Sequence, residues 1–283
     1  MHNPIKGLPL LAIATVLAAC AGDHKKPGTT AAQTKAVPKQ AAKSPRPSLE
    51  EFVFPEPLPW GQRTVDDVLY AYAPYAVSQL KPYFAKAGVA YPPRELTLVG
   101  LKEEKKLEVW ARDHGEFRFI RAYDIKAASG KHGPKLRQGD KQVPEGIYRI
   151  VRLNPNSNYH LSLKLNYPNE FDRFHAAREG RMEPGSDIYI HGDSVSAGCL
   201  AMGDAAIEEL FVLAAHVGPE NITVIIAPRD PRNRALDPHE PGLPSWTGEL
   251  YQEISSQILA LAPAEPVKVS TNPPAAGPDR KIR

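Results

Sequence analysis

Apolar residues recur at helical spacing from Val65 to Phe84, at Val65, Leu69, Tyr72, Ala76, Leu80 and Phe84, which predicts an amphipathic helix. Pro74 interrupts the run, so the pattern reads as a kinked helix or two short ones. Gly88 follows as a C-terminal cap, and Pro92-Pro93 blocks continuation. From Leu96 the period shortens to two. Leu96-Thr97-Leu98-Val99 reads as a strand, and the alternating runs from Leu107 and from Phe117 predict a hairpin between Lys106 and Tyr123, turned by Asp113-His114-Gly115. The cleanest strand runs from Tyr159 to Tyr167. Tyr159, Leu161, Leu163, Leu165 and Tyr167 fall on one side and His160, Ser162, Lys164 and Asn166 on the other. That alternation predicts a half-buried strand of a mainly antiparallel sheet.

Further on, residues 187–190 read as a short strand that delivers His191 at its end. Asp204 is placed to cap a helix whose core side is Ile207, Leu210, Phe211 and Ala214, with Glu208 and Glu209 in the first turn. Gly218-Pro219 ends it. Ile222 to Ile226 reads as a buried strand, and Trp246 with the segment from Tyr251 to Leu261 predicts a final helix packed on the sheet. The sum is a mainly β domain with peripheral helices.

Composition changes the picture at the two ends. Residues 1–19 carry His2 and Lys6 before an apolar run from Leu8 to Ala19, too short for a membrane span of about 20 residues and fitting a signal peptide. Leu17-Ala18-Ala19-Cys20 resembles a lipobox, in which Cys20 is lipidated, and Ala21 at the next position resembles outer-membrane sorting. Residues 20–60 are rich in Ala, Pro, Lys, Thr and Ser, which predicts a disordered tether. Fully extended it spans on the order of 100 Å, at about 3.3 Å per residue. Residues 61–270 suffice for one domain with a core, and 271–283 read as a short tail. The formal net charge of +3 is spread along the chain, and no nucleic-acid-binding motif accompanies it.

The chain has two cysteines. With Cys20 acylated, Cys199 is an unpaired thiol in an exported protein. It lies eight positions after His191, in Ile190-His191-Gly192-Asp193-Ser194-Val195-Ser196-Ala197-Gly198-Cys199. A neighbouring imidazole takes a thiol proton and makes a nucleophile. Gly198 lets a substrate carbonyl approach the backbone, and the N–H groups of Gly198 and Cys199 are candidates for an oxyanion hole. Ser196 bonds the histidine or substrate, or shapes the turn. Asp193 is a weaker candidate for orienting the imidazole. Arg173, Arg178 and Arg181 cluster ahead of the site, where guanidinium forks suit carboxylates; His175 beside them reads as a surface or helix residue. A zinc site needs three or four ligands, and no Cys-x-x-Cys or His-Glu-x-x-His is present, so neither metal nor cofactor is expected. A papain-like peptidase would carry its Cys before its His, the reverse of this order.

The His191-Gly192 and Ser196-Ala197-Gly198-Cys199 stretch resembles the signature of the YkuD-type L,D-transpeptidases. Gly133-Pro134-Lys135, Gln138-Gly139-Asp140 and Pro144-Glu145-Gly146 are similar to the family's Gly/Pro-rich stretch feeding a strand. Asn154-Pro155-Asn156-Ser157 and Asn166-Tyr167-Pro168-Asn169, both read as loops, resemble a YafK-like subgroup that includes an amidase releasing outer-membrane lipoprotein from peptidoglycan. The resemblance implies a sandwich-like fold, Cys199 as acyl-enzyme nucleophile, His191 as general base, and a backbone carbonyl near the Ser-x-Gly-Cys turn that orients the imidazole. The implied partners are peptidoglycan stem peptides, a wall-attached lipoprotein, and the outer membrane through the lipid on Cys20, on its periplasmic side. Two positions depart from the family's usual residues, Ala197 for His and Ala201 for Arg or Asn. Ala201 implies a shift from transfer toward hydrolysis. The alternatives are therefore a hydrolase, or a non-catalytic wall-binding lipoprotein that keeps the fold.

Overall fold

The computed structural model describes residues 61–261, all within the second of the two units into which the chain divides, residues 53–283. The expectations for the signal peptide, for Cys20, for the tether and for the tail lie outside the described residues.

Helix α1 (Val65–Ala87) is one helix, not two, and Pro74 and Pro82 both sit within it. A capping box starts it: Thr64 and Asp67 exchange bonds with each other's backbone N–H, and Gly88 at φ 68° closes it. Val68, Ala76, Leu80 and Phe84 form its buried stripe, which takes Val68 in place of the expected Leu69. Its core face survives the prolines because both backbone losses fall on a helix held by tertiary packing.

Nine strands follow: β1 (Glu95–Leu101), β2 (Lys106–Arg112), β3 (Arg118–Asp124), β4 (Ala127–Ala128), β5 (Gly146–Ser157), β6 (His160–Leu165), β7 (Tyr189–His191), β8 (Leu200–Ala201) and β9 (Ile222–Ala227). They lie in the order β3-β2-β1-β9-β5-β6-β7-β8-β4. The β2–β3 hairpin is as expected, with a bulge at Val109/Trp110. Two neighbouring pairs, β1–β9 and β7–β8, are parallel; the others are antiparallel. The long β5 joins two half-sheets, pairing with β9 through its first residues and with β6 through its last. The half-sheets close face to face: a Cβ added to Gly100 of β1 would meet Leu200 of β8 at 3.3 Å. That is the sandwich.

The continuous apolar runs of β1 and β9 have a direct cause. Leu96, Leu98, Val224 and Ile226 enter the main core. Their neighbours Val99, Leu101, Ile225 and Ala227 enter a second core under helix α4 (Thr247–Ala260). Strands covered on both faces have no polar side.

Three expectations are corrected. Asn154-Pro155-Asn156-Ser157 is the end of β5, not a loop. The register shifts between Asn154 and Ser157, and such an irregularity accommodates the missing N–H of Pro155. The strand expected from Tyr159 to Tyr167 is β6, His160–Leu165, and Tyr159 sits in the preceding turn. Helix α3 (Asp204–Val217) is capped by Gly203, and Asp204 is its first residue; Glu208 and Glu209 lie beyond the first turn. Helix α2 (Glu170–Arg178) begins in a capping box between Asn169 and Asp172.

Candidate active site

Strand β7 is anchored by Ile190, which is fully buried, and ends at His191. The parallel register pairs Ile190 with Leu200 and His191 with Ala201. Paired positions point the same way and alternate along each strand, so Leu200 enters the core with Ile190. Cys199, one residue before β8, falls on the face of Ala201 and therefore of His191. The fold thus brings both candidates to one face at the end of the half-sheet.

His191 is 2% exposed. Its Nδ1 lies 2.6 Å from the Gly192 carbonyl oxygen. A carbonyl only accepts, so Nδ1 carries the proton and Nε2 keeps its lone pair. Burial pushes the imidazole below its usual range, and the Gly192 carbonyl and Asp193 pull it back more weakly. The ring therefore stands as a neutral base. The orienting carbonyl belongs to Gly192, not to the Ser-x-Gly-Cys turn, and the Asp193 carboxylate instead accepts from Ser194 N at 2.5 Å. Gly192 N–H donates to the carbonyls of Tyr159 and Leu161 at 3.1 Å each. Asp193, at φ 59°, donates its N–H to Asp204 Oδ1 at 2.8 Å, which ties the histidine loop to the start of α3.

The Cys199 thiol contacts the Asp187 carbonyl at 3.8 Å. Burial pushes the thiol up; the backbone N–H of Tyr189 and the Lys135 ammonium pull it down, and Asp187 adds to the rise. No hydrogen bond joins the thiol to His191 among the described residues. Burial favours the neutral form of both groups, raising the thiol and lowering the imidazole.

Ser196 shapes the turn. Its hydroxyl donates to the Cys199 carbonyl at 2.7 Å and accepts from Gly198 N at 3.4 Å, Cys199 N at 3.3 Å and Ser129 N at 3.2 Å. The two expected oxyanion donors thus rest on Ser196 through long, weak bonds. Gly198 is needed for its φ of 117°; a Cβ there would meet Gln142 O only at ordinary contact distance, 3.4 Å. The neighbour there is the protein's own loop.

That loop, residues 129–142, has its own anchor. Glu145, 1% exposed, accepts from Lys102 Nζ (2.8 Å), Gly133 N (2.9 Å) and Tyr251 Oη (2.8 Å). Lys135 is buried on Asp140. Ser129, Lys135, Gln142, Tyr159 and Asp187 all shape the site, and only the Gly/Pro pattern of the loop hinted at any of them in sequence.

An open cleft of about 560 Å³, lined by neither Cys199 nor His191, is bordered by Arg173, Arg181, Met182 and Ser186. Arg173 bonds the Pro168 carbonyl. Arg181 bonds Glu179 and the Leu136 carbonyl, both at 2.7 Å. Arg178 does not line the cleft; its guanidinium sits over Phe174 at 5.5 Å. His175 is in α2 but buried, stacked on Trp246 at 4.5 Å. Ala201 is fully buried between His191 and Ala127, so it packs beside the imidazole and offers no open acceptor surface. Among the described residues no cluster of three His, Cys, Asp or Glu is placed to hold a metal, and no helix is long and apolar enough to cross a membrane.

Residues 96–226 match the YkuD family model, the L,D-transpeptidase catalytic domain. The matched span is similar to a YkuD domain and takes in just under half of the chain. Both His191 and Cys199 lie within the matched span of the YkuD domain. The chain is 38% identical over 112 residues to the Escherichia coli protein named "Putative L,D-transpeptidase YafK", covering 39% of this chain and 43% of that one. It thus spans less than half the length of that relative. Among solved structures, the helical cell shape determining protein Pgp2 from Campylobacter jejuni aligns at TM-score 0.40 and 22% identity, over 53% of this chain and 56% of that one. Mycobacterium tuberculosis L,D-transpeptidase 1 aligns at TM-score 0.28 and 12% identity, over 47% and 62%.

Proposed function

We propose that this YkuD domain is a peptidoglycan-modifying cysteine acyltransferase that works on stem peptides through a Cys199 thioester. The observation that carries the reading is the Nδ1–H tautomer of His191, fixed by Gly192 O at 2.6 Å, on the same sheet face as Cys199. As sulfur attacks the amide carbon of a stem peptide, Nε2 takes the thiol proton. The oxyanion draws the N–H groups of Gly198 and Cys199 away from Ser196. The imidazolium then protonates the leaving amine, and the thioester remains on Cys199. An incoming amine attacks it, giving its proton to Nε2 and regenerating the thiol. Water follows the same path, so release of an attached lipoprotein is a second outcome of one chemistry. Arg173 and Arg181 border the cleft in which the stem-peptide carboxylates lie. Cys20 carries the lipid that holds the enzyme at the periplasmic face of the outer membrane.

The test is mass spectrometry of products from isolated sacculi treated with the full-length protein and with Cys199→Ala. The wild type should exchange or release amine components and the variant should do neither. Equal turnover by the variant overturns the assignment. Loss of palmitate labelling and of membrane association in Cys20→Ala is expected; an unlabelled wild type overturns the lipid anchor.

A further inference from the structure

We propose that the tip of the β5–β6 hairpin is a positioning element for the candidate base, with Tyr159 as the residue that holds the His191 ring. The inference rests on His191 acting as the base of the proposed reaction. Tyr159 grips the segment at two points. Its ring lies against the imidazole, centroids 4.5 Å apart and planes at 30°. Its carbonyl accepts from Gly192 N at 3.1 Å, the residue whose own carbonyl fixes the tautomer. Yet Tyr159 is 41% exposed, and its hydroxyl makes no hydrogen bond among the described residues. A half-exposed aromatic with an idle phenol contributes little to the core. Among the described residues its ring–ring contact is with the His191 imidazole.

The tip is itself held in place, by the Asn154–Ser157 stretch that the proposed chemistry does not use. Asn156 Oδ1 accepts from Gly61 N (2.9 Å) and Arg63 N (3.0 Å), and its Nδ2 donates to Arg63 O at 2.7 Å. Arg63 Nη2 returns a bond to His160 O at 3.1 Å. His160, at φ 67°, pairs with Glu208 at 2.8 Å and meets Tyr72 edge-on. The chain entering the domain is therefore clasped by the same hairpin that orients the imidazole. The clasp removes the freedom of a tip that would otherwise swing Tyr159 off the ring.

The groups facing His191 are few: Asp193 on its own loop, Cys199 from the β8 side, and Asp204 of α3 through its bond to Asp193 N. On the hairpin side His160 is already paired with Glu208. A change confined to Tyr159 should thus alter the water around the ring and not its charged neighbours.

The experiment compares full-length wild type, Tyr159→Phe, Tyr159→Leu and Asn156→Ala. It reads kcat and KM against pH on purified muropeptides and the His191 ring titration by NMR. Tyr159→Phe should match wild type. Tyr159→Leu should lower kcat about tenfold with KM within about twofold, and shift the imidazole titration and the acid limb together toward the ordinary histidine range. Asn156→Ala, distant from the thiol, should move both readouts the same way by less. An unmoved titration in Tyr159→Leu, or a lower kcat with an unmoved acid limb, overturns the proposal and leaves Tyr159 a packing residue. If Tyr159→Leu does not fold, Asn156→Ala decides on the same readouts. The NMR titration needs no turnover. An active Cys199→Ala would defeat the proposed function, while an unmoved ring titration would defeat this inference.

Discussion

Gly192→Ala should damage this protein through the backbone that holds the imidazole. A Cβ at that position would stand 2.7 Å from the Tyr159 carbonyl oxygen and 2.7 Å from Asp204 Oδ1, with His160 Cβ at 3.1 Å. The Asp204 carboxylate can swing away, at the expense of its bond to Asp193 N. The Tyr159 carbonyl is backbone, held from both sides of a hairpin tip, and must be displaced with it. Overpacking of this kind costs about 1–3 kcal/mol. The Gly192 N–H bonds to Tyr159 and Leu161 weaken at the same time, adding about 0.5–1.5 kcal/mol. A total of about 2–4 kcal/mol lowers the melting temperature by roughly 5–15 °C for a domain of this size. Gly198→Ala is the control. Its nearest obstacles are Gln142 O at 3.4 Å and Lys141 C at 3.7 Å, so its cost is the φ of 117° alone, about 1–2 kcal/mol. Calorimetric melting and turnover on muropeptides read both variants. The reasoning is refuted if Gly192→Ala melts within about 2 °C of wild type, or if Gly198→Ala proves the more destabilising.

Other expectations follow from the same geometry. Alkylation of Cys199 by iodoacetamide, read on its peptide by mass spectrometry, should rise only above the ordinary thiol range, because burial pushes the thiol up. His191→Ala should leave that resting profile nearly unchanged while cutting turnover at least about 10²-fold; a displaced alkylation profile would show a resting thiol–imidazole bond. Glu145→Ala removes the carboxylate from a pair whose side chains are 7% and 0% exposed, and should cost about 3 kcal/mol, since Lys102 keeps only carbonyl partners. Burial pushes the Asp172 carboxyl up to about 6. The folded state therefore binds its proton more tightly than the unfolded state, and stability should fall by at most about 3 kcal/mol as pH rises from about 4 through 6. Asp172→Asn should flatten that window in pH-dependent melts, and an unchanged slope would refute the assignment.

Strands whose burial is simple are legible in sequence. β1 and β9 are unbroken apolar runs because each is covered on both faces, and β2–β3 alternates into a turn of Asp, His and Gly. Length and pairing are harder to read. β5 runs through Asn154-Pro155-Asn156, residues that ordinarily mark a loop, because a register shift there leaves Pro155 outside the regular ladder. The parallel pairing of Leu96 with Ile222 joins segments far apart in the chain, and no local period carries that information. The helix starts at Thr64-x-x-Asp67 and Asn169-x-x-Asp172 were written in the sequence as capping boxes, but Asp in place of Glu at the third position makes the signal weak.

The site divides along the same line. Residue type and spacing single out His191 and Cys199, because imidazole and thiol chemistry is a property of side chains. What each can do at rest depends on backbone partners with no side-chain signature. The Gly192 carbonyl sets the tautomer, the Tyr159 carbonyl sets Gly192, and the Asp187 carbonyl touches the thiol. A reading from side chains offers Asp193 for orientation and the histidine for activation at rest, and the family resemblance offers a carbonyl near the turn before Cys199. The structure moves orientation to a glycine, and burial raises the thiol. A buried thiol kept protonated is a poor nucleophile and slow to oxidise. In the proposed reaction the proton leaves as a substrate carbonyl displaces Ser196 from the Gly198 and Cys199 N–H groups. Ser196 and His191 then act at one moment: the first releases the donors that receive negative charge, the second accepts the proton that creates it.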